Sequence, residues 1–571
     1  MNQTEAEAAF KQAIEHQQHG RLAEAQILYE QILAVHRNHH HALHLLGVIV
    51  SQKGNQFYAR RLIETSLTLA PGDPDALANL GQVFFYLGLY EKALERCNES
   101  ITRQPANARC HLTRGKALRF MARHEEATAS LGEALRLQPD LAEAFVHRGF
   151  CLHNLNRLDE ALDDYSQALQ LRPDNPEVLN NRGHALFAME RHQEAVQNIE
   201  RALQLAPDFA EAHYHRGLTH QHEKQYEQAL ACYSRAVQLK PDHEQALVRQ
   251  AFVMHKLKKP PQECISILDR ALRIKPDAAS TLATRAGLLA GLKILDQALQ
   301  DYDRAIELAP DDAKTHSDRA ETLIMLKRPE EAARSFRKAL ELGGDRAELT
   351  YALASLGADT APETAPARYV VNLFDWYAEH FDDHLQGRLK YQTPALICEQ
   401  LFKLHPASGM DVLDLGCGTG LCGPLLKPLA RTLTGVDLSP NMLEMARRRG
   451  IYDQLVCSDL TTFLEPQTAS FDLVIATDVF IYVGALEAVF AATRTAVRPG
   501  SLFAFSFESS DSEDLVLRPT RRYAHSVAYI ERLASSHGFE IVSLTPSVIR
   551  EEGGKNQNGF LAVLRSAEGA S

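Results

Sequence analysis

The chain has 571 residues, 45% of them apolar and 23% charged, with a formal net charge of −12. That length exceeds what one hydrophobic core organises, so two or more domains are expected. The acidic balance offers no broad field for phosphate backbones or anionic lipid, which argues against nucleic-acid and membrane partners. No run approaches the roughly 18 apolar residues of a membrane-spanning helix.

Nine cysteines are spread over both halves with no C-x-x-C spacing. This fits neither a disulfide framework nor a zinc knuckle and points to a reducing compartment. The stretch MNQTEAEAAFKQAIEHQQHG has no basic or apolar region of a signal peptide, so a cytoplasmic location is expected.

Prolines then recur at Pro71, Pro105, Pro139, Pro173, Pro207, Pro241, Pro276 and Pro310. The step is 34 residues, with one of 35 where the turn Lys258-Lys259-Pro260-Pro261 carries an extra residue. Small residues keep the same beat (Gly47, Gly81, Gly115, Gly149, Gly183 and Gly217, then Ala251, Ala286 and Ala320). The pattern predicts two short helices per copy. Small residues let neighbouring helices approach, and proline stops the second helix. Asp140, Asn175 and Asp242 are placed to cap the following helix, and Pro74 and Pro176 to take its first position.

This periodicity resembles the tetratricopeptide repeat, with ten copies starting near residues 6, 40, 74, 108, 142, 176, 210, 244, 279 and 313. It departs from that family where a tryptophan is common, as at Leu77, His111 and Phe145. The resemblance implies an all-α superhelix over residues 1–346 whose concave face binds a protein or peptide. Asn79, Thr113, His147, Asn181, His215, Arg249 and Asp318 are expected on that face. His36, His39, His40, His41 and His44 crowd one inter-repeat turn. With no acid or cysteine near them in the chain they are read as incidental, and no metal site is expected.

Residues 347–368 read as a final solvating helix (AELTYALASLG) and a fairly stiff Ala/Pro/Thr-rich linker. Composition changes at Tyr369, where an aromatic stripe carries the only tryptophan. Within 369–405 this is either a helix packed on the next domain or a lid, with Tyr377, His380, His384 and Tyr391 facing a pocket.

From 411 onward strands alternate with helices. Strands are predicted near 410–415, 432–436, 454–457, 471–476, 501–507, 539–545 and 558–564, and helices near 421–430, 440–449, 485–497 and 525–537. Such alternation predicts a mostly parallel sheet with ligands at the carboxyl ends of its strands. After the first strand, Gly418-Thr419-Gly420-Leu421-Cys422-Gly423 fits a dinucleotide fingerprint. Asp414-Leu415-Gly416-Cys417-Gly418-Thr419-Gly420 instead reads as an acid followed by G-x-G-x-G. A carboxylate there repels pyrophosphate but suits a cationic amino acid and sulfonium. Asp437, Asp459 and Asp478 follow the next three strands, which a dinucleotide site does not need.

On these four motifs residues 369–571 resemble a class I S-adenosylmethionine-dependent methyltransferase, a Rossmann-like α/β fold with a seven-stranded sheet. The pattern F-D-x-Y-A-x-x-F-D-x-H-L and the segment Arg521-Arg522-Tyr523-Ala524-His525-Ser526 resemble members fused to tetratricopeptide arrays. The resemblance implies S-adenosylmethionine as cofactor. It sets Gly416, Cys417, Gly418 and Gly420 against the methionine and ribose, Asp414 near the amino-acid end and Asp437 on the ribose hydroxyls. Asp459 meets the adenine amino group, Leu438 and Leu460 sandwich the ring, Asp478 closes the methyl-transfer side, and Met442 and Ser458 belong to the cofactor-binding set.

Candidates for proton transfer are His380, His384, Tyr482, Tyr523 and His525; Tyr377, Tyr391 and Arg522 are candidates for substrate or lid contacts. The absence of Asn/Asp-Pro-Pro-aromatic and Pro-Cys motifs leaves a small molecule or a protein side chain as methyl acceptor. The competing reading is an interaction scaffold whose cofactor fold is structural or regulatory.

Overall fold

The computed structural model describes residues 3–378, 381–382, 392–511, 513–552 and 555–568; for Trp376, Tyr377, Glu552 and Lys555 it describes the backbone alone. The chain divides into two compact units, Met1–Pro276 and Asp277–Ser571. Each is taken by itself below.

The first unit holds eight helix pairs, from Gln3–Gln18 with Leu22–Val35 to Glu244–Lys256 with Pro261–Ile274. Their starts follow the 34-residue beat. Asn175 caps the helix Pro176–Ala188 by accepting from the Glu177 and Val178 amides, and Asp73 caps Pro74–Tyr86 in the same way. Asp140 and Asp242 do not cap. The residues at those cap positions are Leu141 and His243, the latter accepting from the Ala246 amide. Polar residues expected on the concave face cross-link neighbouring copies. Asn79 Nδ2 meets His44 Nε2 at 2.8 Å and His215 Nδ1 meets Asn180 Oδ1 at 2.8 Å, each reaching 35 residues back along the chain.

The second unit begins with the pairs Ala279–Gly291/Leu295–Leu308 and Ala313–Met325/Pro329–Glu341 and the helix Arg346–Ser355. That last helix was expected to face solvent, yet Leu349, Tyr351, Ala352, Leu353, Ala354 and Ser355 are all buried. It packs on two sides. Leu349, Ala352 and Leu353 join Phe336 and Ala333 of the preceding helix, while Tyr351 packs with Ala365 and Tyr523. The linker behind it is strapped down as well. The Ala365 amide donates to the Tyr482 carbonyl at 2.9 Å, and the Gly484 and Ala485 amides both donate to the Glu363 carbonyl at 2.8 Å.

The sheet comprises β1 (Met410–Leu415), β2 (Ala430–Asp437), β3 (Gln454–Cys457), β4 (Phe471–Ala476), β5 (Val497–Glu508), β8 (Phe539–Glu552) and β9 (Lys555–Ser566), in the order β3-β2-β1-β4-β5-β9-β8. β3, β2, β1, β4 and β5 run parallel, and β9 lies antiparallel between β5 and β8. A mostly parallel sheet is buried on both faces, which is why its strands read as apolar runs. Side chains alternate accordingly. Leu413 and Leu415 join one core, with Leu460, Leu464, Phe490, Ile530 and Leu533. Val412 and Met410 join the other, with Ile397, Leu401 and Leu426.

Three local differences from the sequence expectation have simple causes. The helix expected over 421–430 is only Gly423–Leu426; Lys427 still donates its amide to the Gly423 carbonyl, and Pro428, which has no amide hydrogen, cannot extend the ladder. β8 runs on to Glu552 and forms a long hairpin with β9. A two-stranded sheet, β6 (Leu515–Leu517) with β7 (Tyr523–His525), precedes the helix Val527–Ser536, and its strands are too short to leave a periodic signal.

Gly559 pairs across to Glu508 in β9 and β5. A Cβ there would stand 2.1 Å from the Phe507 carbonyl oxygen, a backbone atom that cannot give way. Gly559→Ala is expected to destabilise this unit by ~1–3 kcal/mol or more, read as a fall in its thermal midpoint. Gly287, inside the helix Ala279–Gly291, would meet only the Tyr302 hydroxyl at 3.5 Å. Gly287→Ala is expected to raise the same midpoint through a gain of up to ~1 kcal/mol in helix propensity. Equal shifts of the two variants would contradict this packing.

Candidate active site

One cavity of about 660 Å³ opens at the carboxyl ends of β1, β2 and β4. Its inner wall begins where β1 leaves the sheet. Gly416 has φ +66, and a Cβ on it would stand 2.5 Å from Val479 Cγ2. No other residue type fits there without displacing the loop after β4. The loop is then pinned by its own amides. The Cys417 amide donates to the Val436 carbonyl (3.0 Å), and that of Gly420 to the Cys417 carbonyl (2.8 Å). The Gly418 amide donates to Asp437 Oδ2 (2.9 Å).

The four strand-end acids occupy different settings. Asp437 is half-buried; desolvation raises its carboxyl above the usual range, while the Gly418 and Ser439 amides oppose the shift. It is not the cap of the helix Pro440–Arg449. Ser439 is, accepting from the Met442 amide. Asp459 does cap a short helix, Leu460–Leu464, its Oδ1 taking the Thr461 and Thr462 amides and the Thr461 hydroxyl. Asp478 has a left-handed φ of +59, a conformation that costs energy and clusters at functional sites. Its amide donates to Ser506 Oγ at 2.8 Å, and its Oδ2 accepts from Arg550 Nη1 at 2.9 Å.

Asp414 is fully buried behind the loop. Tyr452 donates its hydroxyl to Oδ2 at 2.6 Å, and Oδ1 has no hydrogen-bond partner. Burial pushes this carboxyl up to about 7, and the neighbouring Asp437 adds to the shift.

Of the predicted cofactor residues, Gly416, Cys417, Gly418, Asp437, Leu438, Met442, Asp459, Leu460 and Asp478 line the cavity, whereas Asp414, Gly420 and Ser458 stand off it. Among the proton-transfer candidates Tyr482 is on the wall, its hydroxyl raised by burial and bonded to Arg522, which also lines the cavity. Tyr523 and His525 are not, and this corrects their assignment as candidates for proton transfer. Both are fully buried in β7. The Tyr523 hydroxyl donates to the Pro362 carbonyl at 2.6 Å. His525 Nε2 meets the Gly484 carbonyl at 2.8 Å, and burial lowers its ring to about 4. His380, His384 and Tyr391, and the side chain of Tyr377, lie outside the described residues.

The outer wall holds residues that sequence reasoning did not single out. Val370, Leu373 and Phe374 come from the helix Ala367–Tyr377, with Phe374 edge-on to Tyr482 at 5.5 Å. That helix is anchored by Asp375, which accepts from the Ser439 hydroxyl at 2.5 Å. Asp382 accepts from the Thr419 hydroxyl at 2.5 Å and pairs with Arg449. Ala347 and Thr350 reach the cavity from the helix that follows the repeats. Arg550 and Glu508, both almost fully buried and paired with each other, stand behind Asp478. A charge inside the apolar strand sequences FAFSFE and PSVIREE was the available signal for those two.

Arg521, next to Arg522, faces the other way. It has φ +58, pairs with Glu321 at 2.5 Å and lies over the rings of Phe336 and Tyr369, while its carbonyl accepts from the Tyr351 hydroxyl at 2.6 Å. It is an anchor to the last repeat copies rather than a substrate ligand.

The Asp414 setting has a pH consequence. Between the ordinary carboxyl value of about 4 and about 7, the folded chain holds a proton that the unfolded chain releases. Stability therefore falls as pH rises through that window. The thermal midpoint of this unit is expected to drop more between about pH 5 and about pH 8 in the wild type than in Asp414→Asn. Parallel profiles would show that the group titrates elsewhere.

Residues 413–505 match the family described as Methyltransferase domain. Residues 108–141, 176–209, 210–243 and 288–347 match families described as Tetratricopeptide repeat, and 152–190 one described as TPR repeat. Curated relatives include a ubiquinone biosynthesis O-methyltransferase of Thiobacillus denitrificans, 27% identical over 28% of this chain and 81% of that protein. One of the same description from Idiomarina loihiensis is 32% identical over 17% of this chain and 42% of that protein. A malonyl-[acyl-carrier protein] O-methyltransferase of Serratia marcescens is 31% identical over 18% and 39%. The chain thus spans less than half the length of the latter two. The chain is a tetratricopeptide-repeat protein carrying a C-terminal methyltransferase domain.

Proposed function

We propose that this protein transfers a methyl group from S-adenosylmethionine to a small-molecule or protein acceptor, and that its repeat array recruits a protein partner or substrate. The observation that carries the reading is a single cavity. On its wall the glycine loop after β1 meets carboxylates after β2, β3 and β4. We assign residues 1–346 to the array, 347–368 to the join and 369–571 to the methyltransferase domain.

The residues present fit the cofactor. Backbone at Gly416 and Gly418 has no Cβ to hold a ligand away, and Asp437 is fixed by two amides. Leu438 and Leu460 offer apolar contact for a purine, and Asp459 lines the same cavity with its Oδ1 already taken by helix capping. Asp414, lacking a partner on Oδ1, places latent negative charge behind the amino-acid end. When bound, S-adenosylmethionine supplies a methyl group on a sulfonium centre that needs no further activation. The chain's own work is then positioning and exclusion of water. Phe374 and Val370 close the apolar side, and Tyr482 with Arg522 presents a hydroxyl and a cation to the acceptor. His380 and His384 remain the proposed proton acceptors for an acceptor that arrives protonated. The names of the relatives favour an oxygen atom as the methylated position. Among the described residues no helix is long and apolar enough to cross a membrane. The cysteines are all free thiols, which supports a reducing, cytoplasmic setting.

Calorimetry with S-adenosylmethionine and S-adenosylhomocysteine tests the site. Both are expected to bind the wild type, and Asp437→Ala to bind at least ~10-fold more weakly, the cost of one charged hydrogen-bonding group. No binding, or equal binding by the variant, would sink the reading. A second experiment separates enzyme from scaffold. The full chain is incubated with methyl-labelled cofactor and cell extract divided by size. Label is expected in either the small-molecule or the protein fraction. Cofactor binding without transfer to either would favour the scaffold.

A further inference from the structure

The histidine-rich turn between the first two repeat copies was set aside because no acid stands near it in the chain. The fold supplies one. His40 and His41 open the helix His40–Gln52, and Asp73 caps the helix Pro74–Tyr86 one copy later. A ligand atom from each lies within 4.8 Å of the other two, and the two imidazole rings are 3.9 Å apart.

His39 and His44 are already engaged. His39 Nδ1 accepts from the Ala42 amide at 3.2 Å, and His44 Nε2 meets Asn79 at 2.8 Å. By contrast His40 Nδ1 is buried without a hydrogen-bond partner, and so is His36 Nε2 beside it. A buried, unpartnered imidazole nitrogen is costly unless something satisfies it. Asp73 uses Oδ1 for its cap, accepting from the Asp75 and Ala76 amides, and Oδ2 takes no part in those bonds.

From this geometry we infer that His40, His41 and Asp73 bind one divalent transition-metal ion of the zinc or nickel type, joining the second repeat copy to the third. Two imidazoles and one carboxylate are the borderline donor set such ions favour, whereas Ca²⁺ and Mg²⁺ favour all-oxygen sets. Three protein donors leave positions for water, as at open zinc sites. Bonds of about 2.0–2.1 Å bring tetrahedral donors to about 3.4 Å from one another. The triad therefore has to close by at most roughly 1.4 Å, a change that side-chain torsions supply. The positive ends of the two helices oppose a cation; Asp73, with Asp75 beside it, offsets them.

The test uses the untagged full chain, stripped with a chelator and titrated calorimetrically with ZnCl₂, NiCl₂ and MgCl₂. Zinc and nickel are expected to saturate one site per chain and raise the thermal midpoint, and magnesium to do neither. Asp73→Asn keeps the cap, since asparagine caps as well as aspartate, and His41 is exposed, so both Asp73→Asn and His41→Ala are expected to fold. Each should weaken zinc binding by at least ~10-fold, the scale on which metal-site partners are felt. The inference is overturned if zinc fails to saturate a site, or if both variants bind as the wild type does, which would put the ion on the other histidines. It stands apart from the methyltransferase reading, because S-adenosylmethionine binding is expected to be unchanged in both variants.

Discussion

Burying a carboxylate costs several kcal/mol unless charge or hydrogen bonds replace its water, and this domain withdraws three from water at adjoining strand ends, Asp414 fully and Asp437 and Asp478 in part. Each is handled differently. Asp478 has Arg550, which Glu508 also holds. Asp437 has two loop amides. Asp414 has one tyrosine hydroxyl and a vacant acceptor oxygen, so it keeps a proton up to about 7. The consequence reaches beyond the acids themselves. Asp437 takes the Gly418 amide only because the loop turns at Gly416, and the loop can turn there only because Val479 meets a hydrogen rather than a methyl group. Asp478 in turn adopts a left-handed backbone one residue before Val479. The glycine loop and the loop after β4 are therefore a single packed object.

The second structural dependency joins the sheet domain to the end of the array. Arg521 and Arg522 are adjacent but point to different jobs. One is clamped by Glu321, Phe336 and Tyr369, the other lines the cavity beside Tyr482. Tyr351 binds the carbonyl between them, and Tyr523 binds the linker at Pro362. Because Ala347 and Thr350 form part of the same cavity wall, the helix after the repeats is catalytic-domain structure as much as a terminal cap. Its burial on two sides ties the last repeat copy to the sheet domain.

Legibility in the sequence followed how each feature is encoded. The repeat was plain because one packing problem, two helices meeting at a small residue and stopping at a proline, is solved at the same spacing throughout. The sheet was plain because both its faces are buried, which writes apolar runs, and the acids stood out against them. Features made by distant pairing were hidden. Nothing near Asp414 in the chain announces Tyr452, and nothing near His40 announces Asp73. Tyr523 and His525 looked reactive because residue type is visible while burial is not. They turned out to hold β7 against the linker and the loop at Gly484. Asp140 failed as a cap for a similar reason: the helix starts one residue later than its polar neighbour suggests.

The same limit governs what the inner helices of the first unit offer a partner. A polar residue on such a helix is available for recognition only if its neighbours do not already use it. Asn79 is bonded to His44, His215 to Asn180, and His147 lies against Arg119 and Glu143. His153, His184 and His215 stack ring on ring across three copies, at 4.6 and 4.2 Å. Burial holds the last two rings neutral, His184 at about 4 and His215 well below its ordinary value. Stacked neutral imidazoles pack as flat aromatic surfaces, whereas protonation would put like charges about 4 Å apart in a partly dry interior. These residues work first as inter-copy cement. Solenoid stability is a sum of such neighbour terms, so these side chains hold the copies of the array in register.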